Sequence, residues 1–122
     1  MEQVNKPTIL VAEDNESNYM FLKAILKSYN LVRAMDGLQV VELASKGEYS
    51  VILMDIKMPN MDGITATKKI REFNNNIPII AVTANAFDSD RAEAIQAGCN
   101  DFIAKPLKKK QLEELLIRYI NA

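Results

Sequence analysis

Short apolar runs rich in isoleucine and valine alternate along the chain with longer stretches in which apolar residues recur at helical spacing. The runs TILVA (Thr8–Ala12), LVRA (Leu31–Ala34), VILM (Val51–Met54), IIAVT (Ile79–Thr83) and DFIA (Asp101–Ala104) have the length and composition of strands. The first, third and fourth are apolar on both faces, as strands are when helices cover the sheet on both sides. Between them, Leu22, Ile25, Leu26 and Tyr29 fall at i, i+3, i+4 and i+7, and Leu112, Leu115, Leu116 and Tyr119 repeat that spacing near the end. Val40, Val41 and Ala44 mark a helix after Asp36-Gly37, and Ala66, Ile70 and Phe73 another after Asp62-Gly63. SDRAEAIQAG predicts one more, with Asp88 or Ser89 as N-cap and Gly98 as terminator. Strand–helix units repeated in this way predict an α/β fold with a parallel sheet and right-handed crossovers. KSYNLVRAMDG, leading from the first helix into the second strand, has no glycine where that helix should end, so the helix end is expected to be distorted. No repeat, linker or low-complexity tract interrupts the pattern, which predicts one domain over residues 1–122.

Composition narrows the chemistry. A chain of 122 residues buries roughly two thirds of the surface its unfolded form would expose, enough to fold alone. The formal net charge of -1 gives no general attraction to nucleic acid or to an anionic membrane, so direct nucleic-acid binding is not expected and any anion site must be local. Lys108, Lys109 and Lys110 read as a solvated helix start. The sole cysteine, Cys99, precludes an internal disulfide and reads as a small packing residue in a reducing compartment. No apolar run approaches the length of a membrane span, and MEQVNKP lacks the layout of a signal peptide, so a cytoplasmic location without membrane contact is expected. The absence of histidine means that this chain cannot itself carry phosphate on an imidazole.

In open parallel sheets, ligands bind beyond the carboxyl ends of the strands, where strand order reverses. The residues at those ends are therefore the candidates. Glu13-Asp14 follow the first strand and Asp55 the third; Thr83 ends the fourth, and Lys105-Pro106 follow the fifth. Three carboxylates brought together repel unless a cation neutralises them or some take up protons. Oxygen donors without cysteine or histidine favour a hard ion such as Mg2+, which binds one or two carboxylates together with a phosphoryl group. Lys105 adds a second positive charge and Thr83 a hydroxyl donor. The set suits a phosphoryl group.

ED at 13–14, MDIKMPNMDG at 54–63, VTAN at 82–85 and AKP at 104–106, in this order and across the whole chain, resemble the response-regulator receiver domain of two-component phosphorelays. The resemblance implies a doubly wound, five-stranded parallel sheet, flavodoxin-like (βα)5, with strand order 2-1-3-4-5. It implies that Asp55 accepts a phosphoryl group from a phosphohistidine on a histidine kinase or histidine phosphotransfer protein. Asp14 and Asp55 would ligate Mg2+ directly, Glu13 through water, and Lys57 through its backbone carbonyl. The Lys105-Pro106 peptide would be cis. Phosphorylation would draw Thr83 inward and let an aromatic side chain of the fifth strand rotate, switching the surface of the fourth helix, fifth strand and fifth helix toward a downstream partner. Phe102 holds that aromatic place, where many members have tyrosine, so a switch that relies on a ring hydroxyl is not expected. Lys57 and Asn85 occupy the positions that tune the lifetime of the acyl phosphate.

The texture of VTANAFDSDRAEAIQAGCNDFIAKPL is most similar to receivers of hybrid sensor histidine kinases. Nothing follows the fifth helix but Asn121-Ala122, so the reading is either a stand-alone receiver or a unit cut from a larger chain with covalently linked kinase modules. Other classes fit less well. A phosphatase of the haloacid dehalogenase class needs a second aspartate two residues after the first, where Lys57 stands. A nucleotide or flavin module needs a Gly- or Ser/Thr-rich loop after the first strand, which EDNESN does not provide. The remaining alternative is a phosphorylation-independent docking module.

Overall fold

The computed structural model describes residues 6–84 and 88–120. Five strands and five helices alternate: β1 (Thr8–Ala12), α1 (Glu16–Ile25), β2 (Asn30–Ala34), α2 (Gly37–Lys46), β3 (Val51–Asp55), α3 (Gly63–Arg71), β4 (Ile79–Thr83), α4 (Asp88–Ala97), β5 (Asp101–Ala104) and α5 (Lys109–Ile120). All strand pairings are parallel, in the order β2-β1-β3-β4-β5. The predicted fold class and strand order are those observed.

The alternation of side chains along each strand divides the core into two layers. Leu10, Ile52, Met54, Ile79 and Ala81 face one side, where Val40 and Ala44 of α2, Ala66 and Ile70 of α3 and Ala94 of α4 cover them. Ile9, Val11, Leu53, Ile80, Val82 and Ile103 face the other, under Leu22 of α1 and Leu112, Leu115 and Leu116 of α5. Every residue of β3 and β4 is buried, which is why these runs carry no polar alternation. Helix starts follow local chemistry. Asn15, Asp36 and Asp62 cap α1, α2 and α3 by accepting from the amides of Asn18, Gln39 and Thr65 at 2.9, 2.8 and 2.8 Å. Gly98, at φ +122°, follows α4 as its predicted terminator.

Four boundaries differ from expectation. β2 begins at Asn30, whose amide already pairs with the Pro7 carbonyl at 2.9 Å. β3 runs on to include Asp55, because that residue still holds sheet register with Val82. The first helix ends at Ile25, and Leu26 caps it with φ -110° and ψ 47°, leaving Tyr29 outside. This is the distorted end that a terminus without glycine predicts. The third helix ends at Arg71, so Phe73 lies beyond it and is half exposed. The predicted N-cap of α4, Asp88 or Ser89, falls where only the backbone is described.

Candidate acidic phosphoryl site

Sheet register brings the predicted residues together. Ala12 pairs with Met54, so Glu13 and Asp55 emerge from neighbouring strand ends at the point where strand order reverses. Asp55 pairs with Val82, and Thr83 with Ala104, which sets Thr83 and Lys105 at the next two ends. Carboxylate oxygens of Glu13, Asp14 and Asp55 all lie within 4.8 Å of one another. Glu13 and Asp55 are buried, and Asp14 is exposed. The Lys105 Nζ stands 3.1 Å from Asp55 Oδ2 and 3.8 Å from Glu13 Oε1. The Lys105-Pro106 peptide is cis, as expected, and the Lys105 amide donates to the Thr83 carbonyl at 2.8 Å.

The electrostatics of this cluster are unbalanced. Three carboxylates meet one ammonium within it. Burial pushes the Glu13 carboxyl above its usual range, and the nearby Asp55 charge adds to that; the Asn15 amide, donating to Glu13 Oε2 at 3.1 Å, and Lys105 pull the other way. An all-oxygen set that leaves excess negative charge at the mouth of a cleft fits a hard divalent cation such as Mg2+. The Lys57 amide donates to Asp55 Oδ1 at 3.1 Å, so the two oxygens of Asp55 are held by different partners.

One anchoring group was not foreseen from the sequence. Arg33 of β2 donates from Nε to the Glu13 carbonyl at 3.0 Å and from Nη1 to Glu16 at 2.6 Å, while its guanidinium lies 4.6 Å from the centre of the Tyr19 ring. The Glu13 amide also donates to Ala34 at 3.0 Å. The acidic turn after β1 is thus fixed from the β2 side. No periodicity marks Arg33; only its position one residue before the end of β2, the strand next to β1, could have drawn attention to it.

Residues 9–117 match the family described as response regulator receiver domain. The chain belongs to this family. It is 39% identical over 115 residues to transcription factor SKN7 of Saccharomyces cerevisiae and 41% identical over 123 residues to that yeast's osmosensing histidine protein kinase SLN1. Each match covers 93% of this chain, but only 18% and 10% of those longer proteins. Among solved structures, the receiver domain of a sensor histidine kinase from Pseudomonas aeruginosa, with a magnesium ion coordinated in its active site cleft, superposes with a TM-score of 0.90 at 41% identity, covering 96% of this chain and 99% of that one. The receiver domain of the yeast response regulator Ssk1, co-crystallised with the histidine phosphotransfer protein Ypd1, gives 0.88 at 27% identity over 97% of this chain and 91% of that one.

The other expected switch residues of this receiver domain sit farther along the sheet. Thr83 is buried at the end of β4. Phe102 of β5 is half buried, and the Arg91 guanidinium of α4 lies 4.6 Å from its ring centre. That contact was also not foreseen. Lys57 is exposed beside the cluster. Asn85 lies outside the described residues. Cys99 is buried against Thr67, Oγ1 to Sγ 3.6 Å, in line with a packing role, and Lys108, Lys109 and Lys110 are exposed. Among the described residues no helix is long and apolar enough to cross a membrane.

Proposed function

We propose that this receiver domain takes a phosphoryl group from a phosphohistidine onto Asp55 and passes the change to a protein partner. The observation that carries this reading is the buried Asp55 carboxylate, held between the Lys105 ammonium and the Lys57 amide, with two further carboxylates beside it. Glu13, Asp14, Asp55 and the Lys57 carbonyl would hold Mg2+. When bound, that ion supplies positive charge to the phosphoryl oxygens and to the carboxylates that surround them.

A carboxylate oxygen of Asp55 attacks phosphorus in line; an O–P bond forms, the P–N bond to the donor imidazole breaks, and its electron pair returns to the ring nitrogen. Lys105 already sits against Oδ2 and balances the charge that spreads over the transferring group, while the Lys57 N–H keeps the carboxylate plane oriented. Such catalysis is positioning and electrostatics, so the domain promotes its own phosphorylation and, by orienting water, its own dephosphorylation, with Lys57 and Asn85 setting the lifetime. It is not an enzyme acting on a separate substrate. The phosphoryl group adds about two negative charges and three acceptor oxygens, to which the Thr83 hydroxyl donates. Movement of Thr83 makes room for Phe102, and the face of α4, β5 and α5 changes.

The donor is a histidine kinase or a histidine phosphotransfer protein, a class supported by the Ypd1 complex of the Ssk1 receiver and by relatives such as the hybrid signal transduction histidine kinase G of Dictyostelium discoideum, 39% identical over 118 residues. The output is a downstream protein or covalently linked kinase modules, in the cytoplasm, without direct nucleic-acid or membrane contact by this domain. Intact-mass spectrometry after incubation with acetyl phosphate, with and without Mg2+, tests the reading. A phosphoryl adduct that needs Mg2+ and disappears in Asp55→Asn is the expected result. No adduct from acetyl phosphate or from a phosphorylated histidine protein would leave a phosphorylation-independent docking module.

A further inference from the structure

The turn that starts α2 and the loop that follows β3 are joined by a side-chain pair that the proposed chemistry does not use. Asp36 divides its carboxylate. Its Oδ1 accepts from the Gln39 amide at 2.8 Å and caps α2, while its Oδ2 accepts from Asn60 Nδ2 at 2.6 Å. Asn60 has φ 67°, the sole positive φ among the described non-glycine residues. Asparagine tolerates that left-handed conformation better than most side chains, but it still requires support. The two segments also touch through their backbones: a Cβ on Gly37 would lie 2.1 Å from the Met61 carbonyl oxygen, so only glycine fits there.

The loop held by this contact carries Lys57. Its ends are fixed by the sheet and by α3. The Ile56 amide donates to Val82 at 3.0 Å, the Gly63 amide donates to Ile56 at 2.8 Å, and Asp62 caps α3. Its middle, around Asn60, is fixed from outside by Asp36. We propose that Asp36 and Asn60 are positioning residues for the acidic site, their hydrogen bond holding the β3–α3 loop in the conformation that aims the Lys57 amide at Asp55 and so orients the carboxylate that would hold the cation. This rests on the cation-binding reading given above. Neither residue touches a reacting atom; both act through the loop.

Two substitutions remove the contact while sparing its structural neighbours. Asn60→Gly keeps the left-handed backbone and loses the amide. Asp36→Ser keeps an N-cap oxygen for the Gln39 amide and loses the second oxygen. Amide hydrogen exchange at Lys57 and Gly63 is measured by NMR in EDTA. A Mg2+ titration of the full chain is then followed by the Lys57 amide shift, and thermal unfolding gives stability. Loss of one hydrogen bond that biases the loop predicts exchange about fivefold faster and a Mg2+ Kd about fivefold weaker in each variant. The double variant should be no worse than either single one, and the unfolding temperatures should fall by no more than about 3–6 °C, the shift that one hydrogen bond accounts for. A purely structural role would move the unfolding temperature and leave Kd alone. Exchange rates equal to those of the parent in both variants would overturn the proposal. So would an unchanged Kd alongside a parent chain that binds Mg2+. A parent chain that binds no Mg2+ would instead overturn the reading of the acidic site, while the exchange arm still decides whether the pair holds the loop.

Discussion

Replacing Asp14 by asparagine should stabilise the metal-free protein, although most substitutions destabilise. Asp14 shares a cluster with Glu13 and Asp55 in which carboxylate oxygens lie within 4.8 Å of one another. Two like charges at that separation repel by about 0.9 kcal/mol at the dielectric of water and about 3.5 kcal/mol at an effective value of 20. Asp14 is exposed, so the lower figure applies to each of its two pairs. The ammonium of Lys105, already shared by Asp55 and Glu13, offsets part of the sum. A net gain of about 1 kcal/mol remains, which raises the unfolding midpoint of a chain this size by about 3–6 °C. Mg2+ reverses the order. At one hundred times its Kd a ligand that binds only the folded chain adds about 2.7 kcal/mol, and Asp14→Asn, lacking one carboxylate of the cluster, should gain well under half of that. Thermal unfolding by circular dichroism, in EDTA and in saturating Mg2+, gives the four midpoints needed. An Asp14→Asn chain that melts below the parent in EDTA, or gains as much from Mg2+, would refute the claim that excess negative charge defines this cluster.

Lys105→Met removes the cation between Asp55 and Glu13, so metal-free stability should fall by about 1–3 kcal/mol and phosphorylation by acetyl phosphate should slow about a hundredfold, as read by urea titration and initial rates. Gly63→Ala would place a Cβ 2.3 Å from the Asp55 carbonyl oxygen, and chemical denaturation should register a loss of about 1–3 kcal/mol. Burial pushes the Cys99 thiol upward, with the Thr67 hydroxyl and Arg71 opposing, so its reactive thiolate is disfavoured in the folded chain. At about pH 8, near the ordinary thiol range, iodoacetamide should label the urea-unfolded chain readily and the folded chain slowly, with mass spectrometry reading the difference.

Some of these features could be read in the sequence and others could not, for a physical reason. In a parallel sheet, register converts position along the chain into position in space, so a residue one place beyond its strand is also beside its counterpart on the next strand. Glu13, Asp55, Thr83 and Lys105 could therefore be brought together from strand patterns alone, and the structure places them at four adjoining strand ends. Two of the four boundary differences fell where apolar spacing outlasts the element. Tyr29 and Phe73 keep helical intervals, yet the Tyr29 and Phe73 amides donate to Leu26 and Ile70 in turns that follow α1 and α3. A turn can satisfy an i+3 apolar contact as well as a helix can, so periodicity does not fix the last turn.

Side-chain contacts between segments that are not sheet neighbours left no such trace. Arg33 reaches the Glu13 carbonyl across 20 residues and Asn60 reaches Asp36 across 24, and neither spacing follows a helical or strand period. Neither contact ends on a carboxylate of the acidic cluster, which leaves Glu13, Asp14 and Asp55 to line the cleft. The two kinds of information thus divide by role: strand ends determine which groups meet, while loop and edge contacts determine how rigidly they are presented. The distinction has a consequence for mutation. Changing a strand-end group should alter the chemistry directly and shift stability through the charge balance of the cluster, as Lys105→Met would. Changing Arg33 or Asn60 should leave every reacting group present and weaken cation binding by loosening its frame.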